Sequence, residues 1–185
     1  MTDRREDENV IALLERQHLE IQAQFDVVEN ATGDKRRDAF HDLVRLLAVH
    51  ETAEEEVVHP EVRHVAGGDA VADARIGEEH RAKQLLSTLY DMGPDAEGFD
   101  ILFAELKADV LAHAKHEEQE EFPLLRAAHD EDRLRSMAGA VRAAEMIAPT
   151  RPHPGVESPA ANLLLGPPLA IMDRARDAIR SVFKR

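Results

Sequence analysis

The chain has 185 residues, enough for one domain with a sizeable core and a tail, and too few for two full domains. A formal net charge of −14 argues against a phosphate-backbone partner, which calls for a basic face, so no nucleic-acid binding is expected. The absence of cysteine excludes disulfides, iron–sulfur clusters, thiolate zinc sites and thiol peroxidase chemistry, so any metal must take nitrogen and oxygen ligands.

The polar start, Met1-Thr2-Asp3-Arg4-Arg5-Glu6, does not resemble a signal peptide. No apolar run approaches the roughly 20 residues that span a bilayer. The expectation is a cytoplasmic protein with no membrane partner. Turn signals at Gly33-Asp34, Gly67-Gly68-Asp69 and Gly93-Pro94-Asp95 predict four helices over residues 7–31, 35–65, 69–92 and 96–128. The fold class expected is all-α, an up-down-up-down four-helix bundle.

The first helix carries Ile11, Leu14, His18, Ile21, Phe25 and Val28 at the three-and-four spacing of a buried seam. The second repeats it through Phe40, Leu43, Leu47, His50, Glu54 and Val57, and the fourth through Phe103, Leu106, Val110, His113, Glu117 and Leu124. Both of these seams hold a His and a Glu where a core would take Leu. The third helix is less regular. Ile76, His80 and Gln84 share a face there, while Leu85, Leu86 and Leu89 lie off it.

Pro60 and Pro123 each follow the seam histidine of their helix by ten residues, so the second and fourth helices share one construction, a weak internal repeat. A fifth helix is expected near 130–147. From Pro149 to Pro168 there are six prolines, which predicts an extended linker or strap, and a short amphipathic helix follows with Met172, Ala175, Ile179 and Val182 on one face. The chain therefore divides into residues 1–148, the bundle, and 149–185, a tail with six basic against three acidic side chains. The tail could cover the open end of the bundle or mediate dimerisation, and either a monomer or a homodimer fits.

A His-x-x-x-Glu pair sets both side chains on one helix face about 6 Å apart along the axis, but Glu is common here and His116 and His153 also have a Glu four residues on. Register is the stronger signal. In antiparallel neighbours, two residues share a height when their mean position falls in the connecting turn. His18 and His50 centre on Gly33-Asp34, Glu54 and His80 on Gly67-Gly68, and His80 and His113 just after Gly93-Pro94-Asp95. One layer of the bundle thus receives an imidazole or carboxylate from every helix. Burying these groups is costly unless cations compensate, and the donor set suits iron, manganese or zinc, with two carboxylates able to bridge a dinuclear centre.

The ordered set His18, His50-Glu51-Thr52-Ala53-Glu54, His80 and His113-Ala114-Lys115-His116-Glu117 resembles the bacterial cation-binding branch of the hemerythrin family. That resemblance covers residues 7 to 128. It implies two non-haem irons held by His18, His50, Glu54, His80, His113 and Glu117. The two carboxylates and an oxo or hydroxo group would bridge them, leaving one iron open to dioxygen, hydrogen peroxide or nitric oxide. Respiratory hemerythrins carry a second His on the third helix and a late Asp; here Ile76 and Gln84 flank His80, and Glu117 is the last carboxylate, which argues against reversible oxygen carriage. Water, Glu51 or His116 could complete the coordination.

His41, His59, His64, His129 and His153 lack the register and are assigned to the surface. Phe25, Phe40, Phe103 and Phe122 are assigned to core packing rather than to a gas pocket. A ferritin-like scheme needs Glu-x-x-His on two helices; Glu15-His18 and Glu56-His59 provide it only in the first half. The resemblance implies catalase-like peroxide disposal in oxidative-stress defence, or a sensor or store that takes up dioxygen, nitric oxide or iron without turnover.

Overall fold

The computed structural model describes residues 8–148, and the predicted linker and C-terminal helix of 149–185 lie outside them. Every described element is helical. Helix α1 (Val10–Asn30) starts where the Asn9 side chain accepts a hydrogen bond from the Ala12 backbone N–H at 3.0 Å, which satisfies one of the free first-turn donors. Helix α2 (Gly33–Ala53) runs without a break through a π-helical turn, Glu54–Val58, into α3 (His59–Arg63). Next come α4 (Gly68–Met92) and α5 (Phe99–His116), which passes through a second π-helical turn, Glu117–Glu121, into α6 (Phe122–Ala128). Helix α7 (Glu131–Glu145) closes the described chain, capped by Asp130.

The four predicted long helices are therefore present, two of them interrupted by a π turn. The strongest packing pairs are α1 with the α2 rod and α4 with α5, as short connections between neighbouring helices require. The α3–α4 turn depends on glycine. Gly67 has φ +82°, and a Cβ at Gly68 would lie 1.8 Å from the carbonyl oxygen of Val62, so no side chain fits there.

Both π turns have the same cause. Pro60 and Pro123 have no N–H and their rings crowd the preceding helical turn. The chain adapts by widening that turn: the His59 N–H donates to the Glu54 carbonyl and the Phe122 N–H to the Glu117 carbonyl, each five residues back. The extra residue advances the seam by one position. The buried side chain late in the rod is thus Leu125 rather than the expected Leu124, and Val62 is likewise buried.

Apolar packing separates into two cores. One joins Val10, Leu14, Val57, Val58, Phe122 and Leu125 to the inner face of α7. The other is aromatic, with Phe25, Phe40, Phe99 and Phe103 at its centre, ring centroids 5.1 to 6.1 Å apart where they meet. Phe25, Phe40 and Phe103 are core residues, as expected. A layer of buried polar side chains lies in the sequence between the members of the two cores on every long helix.

Candidate metal centre

The layer takes one donor each from α1 and α4 and three from each of the two rods that contain a π turn. Among the described residues, three overlapping groups bring donor atoms within 4.8 Å of one another: His18, His50, Glu54 and Glu117; Glu54, Glu79, His113 and Glu117; and His59, Glu117 and Glu121. All eight side chains are buried, with Glu54, Glu117 and Glu121 wholly so.

Five of the six expected ligands meet here: His18, His50, Glu54, His113 and Glu117. His80 does not join them. Its neighbour Glu79 takes the place, because the buried face of α4 runs through Ala72, Arg75, Glu79, Ala82, Lys83, Leu86 and Leu89. His80 is one residue, about 100° of helix, away from that face and lies beside Gln84 on a partly exposed side. The residues that misdirect the phase are Arg75, Glu79 and Lys83, charged side chains on an inward face. The signal that finds it is Leu86 and Leu89, from which steps of seven lead back to Glu79, Ala82 and Ala72.

Glu51 and His116, the residues that could complete the coordination, stand outside the groups. Glu51 is buried 3.9 Å from the ammonium of Lys83, and His116 is partly exposed, its Nδ1 donating to Glu78 at 2.9 Å. His41 and His64 are exposed, as expected, and His153 is outside the described residues. His59 is the correction. It is 1% exposed, with Nδ1 2.9 Å from Glu121 Oε1 and Nε2 2.7 Å from Glu79 Oε1. Counting by α-helical period puts His59 off the seam; the π turn rotates it back on. Glu15 of the ferritin-like scheme is on the surface beside Arg126.

Orientation of the imidazoles is set from outside. The Nδ1–H of His18 donates to Glu118 at 2.9 Å, that of His50 to the Gln17 amide oxygen at 3.0 Å, and that of His113 to Glu78 at 3.1 Å. Gln17 is itself held by Glu145 of α7. Each ring therefore turns Nε2 inward, the arrangement in which an outer acceptor fixes the tautomer of a metal-binding histidine. Phe122 stacks on the His18 ring at 5.9 Å and packs it from the side.

Inside, the geometry is that of donors without hydrogen bonds. His18 Nε2 is 3.2 Å from Glu117 Oε2, His50 Nε2 3.3 Å from Glu54 Oε1, and His113 Nε2 3.4 Å from Glu117 Oε1. Yet His18 Nε2, His113 Nε2 and both oxygens of Glu54 and Glu117 are buried with no hydrogen-bond partner. Two donors each about 2.1 Å from one ion, at an angle of about 90–110°, are separated by about 3.0–3.4 Å. The residues fit a cation, and no hydrogen bond among the described residues satisfies these atoms.

Electrostatics agree. Burial, reinforced by the nearby His18, pushes His50 down to about 3, so it is neutral and its lone pair is free. Burial, Glu117 and Glu79 together push the Glu54 carboxyl well above its ordinary range. Burial would lower His113, but Glu117 and the bond to Glu78 outweigh it and raise it to about 9. Burial would raise Glu117, but His113 and His18 hold it well below the usual carboxylate range. Without a cation the cluster must keep protons on Glu54 and His113; a cation replaces them.

The sequence profile of the hemerythrin HHE cation binding domain matches residues 9–125. The chain belongs to that family. This HHE domain also resembles a solved structure, the crystal structure of a hemerythrin HHE cation binding domain-containing protein from Mycobacterium kansasii. The TM-score is 0.67 at 18% identity, covering 75% of this chain and 86% of that one, a likeness of fold. No curated protein matches the chain in sequence. The matched domain is described as cation-binding, and the buried histidine and glutamate layer is where donor atoms gather among the described residues. No helix among the described residues is long and apolar enough to cross a membrane.

Proposed function

We propose that this HHE domain is a non-haem di-iron protein that disposes of hydrogen peroxide. The observation that carries the reading is the set of inward Nε2 and carboxylate oxygens that no hydrogen bond satisfies, arranged as two groups sharing Glu54 and Glu117. His18 and His50 would serve one iron and Glu79 and His113 the other, with the shared glutamates bridging. The chemistry a bound iron pair supplies is storage of two electrons: one hydrogen peroxide is oxidised to dioxygen with loss of two protons, and a second takes up those electrons and protons to give two waters.

The chain's own part is access, exclusion of solvent and proton supply. A cavity of about 20 Å³ lies between the cluster and the aromatic core, walled by His50, His113 and Glu79 on one side and by Ile21, Leu47 and Val110 on the other. It exceeds the roughly 10–15 Å³ needed to admit one water, so a small molecule can stand beside the cluster. Glu51 stands on its edge. Burial, against the pull of Lys83, pushes this carboxyl up to about 8, so it holds a proton at neutral pH at the cavity wall. Lys83 donates to Glu55 and keeps a positive charge beside Glu51 and Glu79.

The apolar wall of the cavity also suits a neutral diatomic, which supports the second reading, a sensor or store for dioxygen, nitric oxide or iron. One experiment separates them. The purified chain is analysed for metal, and its absorption spectrum and oxygen evolution are followed after adding peroxide. About two irons per chain with repeated release of one dioxygen per two peroxides supports disposal. A stable spectral shift without oxygen favours the binding protein, and a chain that holds no metal ends both readings.

A further inference from the structure

We infer that the chain has a third cation position, on His59, Glu121 and Glu117, beside the pair and on the side away from the cavity. It extends the proposed function and rests on the same cluster. The three residues each offer a donor atom within 4.8 Å of the others, and all three are buried. Glu121 Oε2 has no hydrogen-bond partner, and it adjoins Glu117, whose oxygens would be shared with the proposed pair. A wholly buried carboxylate oxygen left in this state is costly unless a cation meets it.

The alternative partner for Glu121 is His59 itself, as an imidazolium donating to Glu79 through Nε2 and to Glu121 through Nδ1. That arrangement satisfies one oxygen of each carboxylate and leaves Glu121 Oε2 and Glu79 Oε2 without partners. A cation resolves more of the set. One nitrogen of a neutral His59 takes the ion, the other remains a donor to the carboxylate on its side, and the ion reaches oxygens of Glu121 and Glu117 that no proton on His59 can reach. The π turn Glu54–Val58 and the residue after it put His59 here, and π turns recur at functional positions in helices. One imidazole and two carboxylates suit a divalent transition ion such as Zn²⁺, Mn²⁺ or Fe²⁺.

The test uses the full chain, stripped and reloaded with Zn²⁺ alone, with metal counted by elemental analysis and located by anomalous diffraction. The expected result is about three ions in the unaltered chain and about two in each of His59→Gln and Glu121→Gln, with the pair positions still filled. The isosteric Glu121→Gln guards against loss of fold. Two ions in the unaltered chain and two in both variants overturn the third position while leaving the pair intact, and identify His59 as an imidazolium clamp. Two falling to one also overturns it, by showing that His59 and Glu121 serve the pair. Three ions retained in both variants overturn it too. No bound ion in any form sinks the proposed function as well.

Discussion

The two halves of the metal layer are built from different chemistry. On the α1–α2 side, His18 and His50 face the shared glutamates, and the outer partner of His50 is a neutral amide, Gln17. On the α4–α5 side there is one imidazole, His113, with Glu79 where a second would be expected, and the outer partner is the anionic Glu78, itself gathered by Arg75 and His116. The first half is rich in nitrogen, with one neutral outer partner, Gln17, and one anionic, Glu118. The second is rich in oxygen and charged, and buried Lys83 offsets part of that charge. Such a difference makes the two positions unequal in the charge of ion they favour, because carboxylate oxygen stabilises a higher charge than imidazole does.

The largest expected effect comes from removing the metal altogether, which erases the difference between the halves. Chelated protein holds its buried donors with protons alone and forfeits the ion contacts, a loss on the order of 3–5 kcal/mol, and its melting temperature should fall by about 10 °C or more in scanning calorimetry. An unchanged melting temperature would falsify the idea that cations hold the layer. Next in size, His50→Ala and Glu117→Ala should each lose most of the bound iron by elemental analysis; full stoichiometry in both would remove these residues from the ligand set.

A finer cut compares neighbours. Glu79→Gln should lose about half of the pair's metal, whereas His80→Ala should keep all of it, and the reverse ranking would return the ligand role to His80. The smallest change is Gln17→Leu, which removes the acceptor that orients His50. Metal affinity by competition with a chromophoric chelator should drop about 10–100-fold with the fold intact, and no drop would mean the ring is held by packing alone.

Much of this was legible in the sequence because the bundle obeys simple periods. The α1 seam, the α2 seam through Glu54 and the α5 seam through Glu117 are buried at the positions that three-and-four spacing predicts. Register through the glycine turns brought His18, His50, Glu54, His113 and Glu117 to one layer. The spacing failed at two identifiable places. On α4 the inward face carries Arg75, Glu79 and Lys83, so polarity pointed the wrong way, and only Leu86 and Leu89 marked the true phase. After Glu54, an α-helical count gave His59 to solvent, since the widened turn imposed by Pro60 adds a residue that no period of 3.6 contains. The paired prolines were visible as a repeat, but their effect on phase is a matter of backbone hydrogen bonding rather than of side-chain pattern.

The polar layer separates one apolar core from the other along every long helix, and this bears on how the protein comes apart. When the layer is filled, the ions tie all four long helices together across it, and the two cores can melt only as one unit. When it is empty, only protons and a few hydrogen bonds join the helices there, and the aromatic block gains freedom to outlast the alanine- and valine-rich block under α7. Hydrogen exchange would then show two unfolding steps in the stripped chain and one in the loaded chain, which would make the ions a source of cooperativity.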